Sequence, residues 1–247
     1  MELEKVFGKK PVFGMIHTGY SREMDMLALA KMEVEIYLRN GIYPLVENYF
    51  GSDEDCEEVL KWLHSEHPDA IYGLNILGDY HLAFLMAARY GARFIQIDSV
   101  CGHLDPYRDE QYAESLQYLR KKYPDVLVFG GVRFKYQQVR SGRSVKEDLL
   151  LGMERCDAIV CTGEGTGKST PFAKVEEFKS VVGDFPVIVG AGVTAWTAQE
   201  TAEIADGAIV GSWLKEGHED IGIVNESYVE EFMRNWKKGV ELSVGGL

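Results

Sequence analysis

Five polar side chains stand at or just past the ends of five separate apolar runs. PVFGMIH ends in His17, YPLVEN carries Glu47, AIYGLNIL carries Asn75, RFIQID ends in Asp98, and Lys135 follows VLVFGGVRF. Two carboxylates, an imidazole, an amine and an amide form an acid–base set if the fold brings them to one mouth. Glu47 or Asp98 would abstract a proton and His17 would shuttle it. Lys135 would neutralise an oxyanion or, if desolvated, form a Schiff base. The same run ends also offer Asn48, Asp79, Gln96, Arg133, Thr162 and Glu164. Taken singly, each residue reads equally as a structural ion pair or hydrogen bond in a polar layer. Glu47, Asp98 and His17 would also make an oxygen-rich divalent-metal site, with Cys101-Gly102-His103 just beyond. No HxH or HExxH spacing points to zinc, and no cofactor motif is certain.

A second group of residues suits an anion. Glycines cluster after three consecutive apolar runs: Gly163 and Gly165 after AIVC, Gly190 and Gly192 around Ala191, and Gly211 before Ser212. Glycine lets a backbone approach a phosphate closely and adopt positive φ. The first cluster, CTGEGTGKST, resembles a nucleotide-binding P-loop, whose pattern is G-x-x-x-x-G-K-[ST]. Thr162 stands where the first glycine belongs. Pro171 suits a first helical turn, which starts the next helix too late to put its N-terminus on Lys168-Ser169. The stretch is therefore read as a wall of an anion pocket shared with the two later clusters. Nucleotide hydrolysis at residues 163–169 is a lesser alternative, and Lys168 is either a phosphate contact or a surface charge.

These residues need elements to position them. Short apolar runs alternate with helical patterns eight times: 11–17 then 22–39, 43–48 then a helix opened by Ser52 and Asp53, 70–77 then a helix capped by Asp79 and ended by Gly91. The series continues with 93–98 then 108–122, and 126–134 then a helix opened by Ser144 with Glu147 completing a capping box. It closes with 157–161 then 172–182, 186–190 then 195–204, and 207–211 then 226–238. The runs are continuously apolar, as in parallel strands buried on both faces. Eight such units without a composition break predict one (β/α)8 TIM barrel over residues 1–247, with an open doubly wound sheet as the alternative. In a barrel the active site lies at the C-terminal strand ends, and phosphate commonly binds the loops after strands 7 and 8.

Composition excludes several classes. The chain has 247 residues, a formal net charge of −13 and four cysteines without a CxxC pair. The charge argues against nucleic acid or an anionic membrane as partner. The cysteines, as small buried thiols, suggest a reducing compartment. MELEKVFGKK lacks the apolar core of a signal peptide, and no run of 18 apolar residues occurs, so the expectation is cytoplasmic. His64, His67, His81 and His218, and the acidic runs 52–58 and 216–220, read as solvated. Self-association into a homo-oligomer is an expectation for such barrels, with Trp62 or Trp236 as markers if exposed.

Six stretches carry a family resemblance: KPVFGMIH (10–17), VENYFG (46–51), GLNIL-GD (73–79), DAIVCTGEGTGK (157–168), PVIVGAGVT (186–194) and ADGAIVGSWLK (205–215). In this order the chain resembles the BtpA/SgcQ family, which is related to the ribulose-phosphate-binding barrels. The resemblance implies a TIM barrel and does not fix an activity. One member is associated with accumulation of photosystem I, and others sit with sugar-metabolism genes. After His17 this chain has Thr18-Gly19-Tyr20 where many members have a proline-rich loop. The expectation is an isomerase-, epimerase- or lyase-like enzyme, or a hydrolase, acting on a sugar phosphate or nucleotide-derived phosphate. The alternative is a non-catalytic assembly factor that retains an anion pocket.

Overall fold

The computed structural model describes residues 2–19, 24–165 and 168–245. Eight parallel strands close a barrel in chain order: β1 (Val12–His17), β2 (Tyr43–Glu47), β3 (Gly73–Asn75), β4 (Phe94–Cys101), β5 (Leu127–Val132), β6 (Ala158–Cys161), β7 (Val187–Val189) and β8 (Gly207–Val210). The open-sheet alternative is thereby overturned, because β1 pairs with β8. An N-terminal helix, α1 (Glu2–Phe7), precedes the barrel. The helices α2 (Met26–Arg39), α3 (Asp53–Glu66), α4 (Tyr80–Tyr90), α5 (Pro106–Lys122), α6 (Val145–Arg155), α7 (Phe172–Val182), α8 (Ala198–Ile204) and α9 (Glu226–Gly245) follow the strands.

The caps work as the sequence suggests. Ser52 and Ser144 both close capping boxes, with Asp55 and Glu147 respectively. Gly91 ends α4 in the left-handed conformation at φ 74°. Helix α8 starts at Ala198 rather than 195, because Thr194 and Thr197 exchange hydrogen bonds in a separate turn first. Helix α1 was not expected. Leu3 and Phe7, four residues apart on one face, are buried among the inward side chains. Phe7 meets Phe13, Phe94 and Phe129 edge-on at 5.2, 5.4 and 5.8 Å and so plugs the bottom of the barrel. Trp236 is buried, not exposed, and its indole N–H donates to the Lys10 carbonyl at 2.8 Å.

Strand alternation divides the core in two. Phe13, Met15, Leu45, Phe94, Leu127, Phe129, Val160 and Ile188 fill the barrel interior. Ile16, Val46, Leu74, Ile95, Val128, Ile159 and Val187 face the helices. Among the described residues no helix is long and apolar enough to cross a membrane.

Candidate active site

Parity and register build the site before any ligand is considered. Phe13 and Met15 point inward, so His17 does too. Phe94 points inward, so Gln96 and Asp98 do as well. The register then levels them: His17 pairs with Glu47 across β1 and β2, and Glu47 pairs with Asn75 across β2 and β3. A polar layer therefore caps the apolar interior at the C-terminal end of strands 1 to 4.

Its hydrogen bonds form one chain. Asn75 Nδ2 donates to Glu47 Oε1 at 2.7 Å and to Asp98 Oδ1 at 3.2 Å. Gln96 Nε2 donates to the same Asp98 oxygen at 3.1 Å. Glu47 Oε2 lies 3.5 Å from His17 Nε2, and His17 Nδ1 lies 3.0 Å from the Asp220 carbonyl. The Asp220 carbonyl can only accept and favours a proton on Nδ1, whereas the Lys215 ammonium, 3.3 Å from the same nitrogen, can only donate and favours a lone pair there, so the two contacts compete for the tautomer.

Burial sets the protonation states. It raises the Glu47 carboxyl to about 8, with the nearby Asp98 charge adding to it and Lys135, the Asn75 hydrogen bond and Lys215 opposing. Burial likewise lowers His17 to about 3, helped by the positive charges of Lys215 and Lys135 and opposed by the Asp220 carbonyl. The 3.5 Å His17–Glu47 approach has ion-pair geometry. At neutral pH it is nevertheless a contact between a carboxylic acid and a neutral imidazole, because charging both would desolvate two ions at once.

This layer floors a cleft of about 510 Å3. His17, Glu47, Gln96, Asp98 and Lys135 line one side; Gly190, Ala191, Gly192, Gly211 and Ser212 line the other. The Lys135 N–H donates to Thr162 Oγ1 at 2.8 Å, which fixes the loop that carries the side chain into the cleft. Tyr49 stacks on the His17 ring at 4.8 Å, and Trp213 stacks on His218 at 3.9 Å, forming aromatic rims.

The glycines differ in why they are glycine. Gly192 has φ +67°, and a Cβ there would collide with the Lys168 carbonyl, so the backbone requires it. Gly211 is different: a Cβ would meet Met15 Cγ at an ordinary 3.4 Å, so packing leaves that position open toward the cleft.

Several expectations need correction. Gly163 and Gly165 are absent from the described lining of the cleft. A Cβ on Gly163 would meet the Ser169 carbonyl at 2.6 Å, so that glycine packs on its own loop, and one on Gly165 would meet the Tyr136 hydroxyl at 3.0 Å, so that glycine packs against the loop after β5. Lys168 is exposed, and α7 begins only after Pro171, so no helix N-terminus meets Lys168-Ser169. Gly167 and Tyr20 lie outside the described residues. Asn75 is buried and also off the described lining; it holds the two carboxylates from the side. Arg133, at φ 53°, turns its guanidinium to the buried Asp148 at 2.8 Å, away from the chemistry.

His218 and Asp220, read as solvated, both line the cleft. Lys215 and Glu33 were missed altogether. Lys215 lies in a turn where strand parity no longer applies, and Glu33 sits on the core-facing side of α2.

Amide N–H groups occupy one oxygen of each carboxylate, Glu47 Oε1 and Asp98 Oδ1. Among the described residues no group of three or more His, Cys, Asp or Glu is arranged to hold one.

The chain is similar to several known proteins. An uncharacterised protein of Thermococcus kodakarensis is 28% identical over 85% of this chain and 88% of its own length. The photosystem I biogenesis protein BtpA of Synechocystis is 28% identical over 63% of this chain and 55% of its own. Among solved structures, 3-hexulose-6-phosphate synthase from Salmonella typhimurium superimposes with a TM-score of 0.63 at 13% identity, over 93% of this chain and 99% of that one, which shows a shared fold. The sequence profile of the BtpA family matches residues 64–238, well over half of the chain, and the protein belongs to the BtpA family.

Proposed function

We propose that the cleft is the active site of an enzyme acting on a small phosphorylated metabolite, a sugar phosphate above all, by acid–base chemistry of the isomerase, epimerase or lyase type. The observation that carries this reading is Glu47. It is a buried carboxyl raised to about 8, set in the floor of a cleft whose opposite wall is the glycine-lined pair of loops after β7 and β8. A group titrating near the working pH can both give and take a proton. The loops after strands 7 and 8 are where barrels of this type hold phosphate. Gly211 leaves room for an anion, and Lys135 supplies positive charge for a developing enolate oxygen. A solved structure of the same fold, named for a hexulose 6-phosphate, supports the substrate class by likeness.

The test is solvent-deuterium exchange into a panel of pentose and hexose phosphates, followed by proton NMR. The wild type is expected to exchange the carbon-bound proton of at least one of them. Glu47→Gln should abolish exchange while keeping the thermal shift caused by inorganic phosphate. A variant that exchanges at the wild-type rate would show that Glu47 does not carry the proton.

The Synechocystis relative's name motivates a second reading, a non-catalytic assembly factor. It predicts a stable protein partner in a pull-down and no growth defect for Glu47→Gln or Asp98→Asn.

A further inference from the structure

His218 is an imidazole in the cleft that the acid–base set does not use. It lies at the tip of the loop after β8 and shares the cleft lining with Trp213. The loop is built to hold that tip in place. Lys215 and Val224 form an antiparallel bridge at its neck. The Glu216 N–H donates to the Ile223 carbonyl at 2.8 Å, and the Asn225 N–H donates to the Leu214 carbonyl at 2.9 Å. The neck closes so tightly that a Cβ on Gly222 would collide with the Glu216 carbonyl. At the tip, the Asp220 carbonyl lies 3.0 Å from His17 Nδ1 and accepts from Lys215 Nζ at 3.3 Å, which docks the tip on the floor of the cleft.

Within the tip the ring is fixed both in place and in tautomer. It stacks on the Trp213 indole at 3.9 Å with the two planes 1° apart. Tyr228 on α9 meets the same ring at 4.8 Å, tilted by 33°. Its Nδ1 lies 2.9 Å from the Trp213 carbonyl. A carbonyl oxygen only accepts, and among the described residues no other group meets this nitrogen, so Nδ1 carries a proton. The neutral ring then has a lone pair at Nε2, which none of the described residues engages. The backbone is a second sign. His218 has φ 56°, a left-handed conformation that suits glycine or asparagine better than an imidazole. Residues held in that region cluster where ligands are gripped.

Charge decides what the lone pair receives. The tip reads Glu216-Gly217-His218-Glu219-Asp220. Glu216 and Glu219 are exposed, and Asp220 shares the lining with His218. Three acidic side chains on one tip repel a phosphate and attract hydrogen donors. A ligand whose phosphate lies against Gly211 and Ser212 therefore turns a hydroxyl-bearing part toward His218. The cleft, at about 510 Å3, has room for more than a phosphate, since small-molecule sites run from about 300 to 1,000 Å3.

We infer that His218 is a ligand-binding residue: its Nε2 accepts a hydrogen bond from a hydroxyl in the polyol part of a phosphorylated ligand held in this cleft. The inference rests on the reading of the cleft as a sugar-phosphate site, and it does not depend on Glu47 as the proton carrier.

Two substitutions separate the two ring nitrogens. His218→Asn keeps a side-chain N–H for the Trp213 carbonyl and tolerates the positive φ, but has nothing in the place of Nε2. His218→Gln puts its amide group near the place of Nε2 instead. The assay is isothermal titration calorimetry at pH 8 with inorganic phosphate and with the pentose and hexose phosphates. In the wild type at least one sugar phosphate is expected to bind more tightly than inorganic phosphate. His218→Asn should weaken that sugar phosphate about tenfold, as for one lost hydrogen bond, and leave inorganic phosphate unchanged. His218→Gln should recover most of the loss. An Asn variant that binds every sugar phosphate as the wild type does would overturn the inference. Equal weakening of inorganic phosphate would overturn it too, because the ring would then serve the anion or the loop. Failure of every sugar phosphate to bind would overturn the proposed substrate class together with this inference, whereas tight binding that ignores His218→Asn would overturn this inference alone.

Long-range nitrogen–proton NMR on protein labelled with 15N-histidine reads the wild-type ring directly. The His218 signals are identified by their loss in His218→Asn. They are expected to show an Nδ1–H tautomer in the unliganded protein and a shift of Nε2 when the sugar phosphate saturates the cleft. An unliganded Nε2–H tautomer, or an Nε2 signal that stays in place, would overturn the inference.

Discussion

Glu47→Gln tests the central electrostatic argument without a substrate. Glutamine has the shape of the protonated acid. Its Oε1 can still accept from Asn75, and its amide nitrogen takes the place of Oε2 opposite His17 Nε2. Glu47 has its folded-state pKa raised from 4.5 to about 8. The folded protein therefore binds this proton more tightly than the unfolded chain, and its stability must fall as pH rises from 4.5 to 8. The slope is about 1.4 kcal/mol per pH unit. Relative to Glu47→Gln, the wild type should lose about 4 kcal/mol between pH 5 and pH 8.5.

His17 has the opposite linkage: its pKa falls from 6.5 to about 3, so its burial costs stability only as pH falls below 6.5. Glu47 is not among the groups that shift His17, and the raised Glu33 titrates in both proteins. The difference between the two stability curves therefore isolates Glu47. The assay is equilibrium urea unfolding of both proteins at half-unit pH steps. A gap that stays constant from pH 5 to 8.5 would refute the claim that Glu47 is held as a neutral acid.

Further expectations follow from the same geometry. If Glu47 acts as the base, deuterium exchange by the wild type should rise with pH to a plateau above about 8; a rate that falls through this range would assign it the acid role instead. Gly211→Ala should weaken the thermal shift caused by phosphate with little change in unliganded stability, because its Cβ has ordinary contacts; an unchanged shift places the anion elsewhere. Gly192→Ala should destabilise the fold by about 1–3 kcal/mol through its positive φ and the Lys168 carbonyl, measured by urea unfolding. Asp148→Ala should cost about 3–5 kcal/mol, because it strips a fully buried carboxylate from Arg133 and Arg143, and should leave the pH profile of exchange unchanged. Burial raises the Cys56, Cys101 and Cys161 thiols to about 12, so Ellman's reagent should label none of them until the chain unfolds.

What the sequence by itself determined was the periodic part of the molecule. Continuous apolar runs record strands buried on both faces, and Ser52, Ser144 and Gly91 mark helix ends, because these signals depend on neighbours within a few residues. Once a closed barrel is accepted, parity carries His17, Glu47 and Asp98 to its mouth, and all three line the cleft. Parity stops where the strands stop. Arg133 and Lys135 leave the same strand, yet a positive φ sends the first to Asp148 while the second faces the cleft. Gly163 and Gly165 looked like an anion loop because glycine reports only that a side chain is excluded, not whether a ligand or another part of the chain excludes it. The protonation of Glu47 and His17, and the convergence of Lys215, Asp220 and Glu33 behind the imidazole, were decided by tertiary structure alone. They arise from desolvation and from contacts across as many as 203 positions of sequence, and no local pattern encodes either.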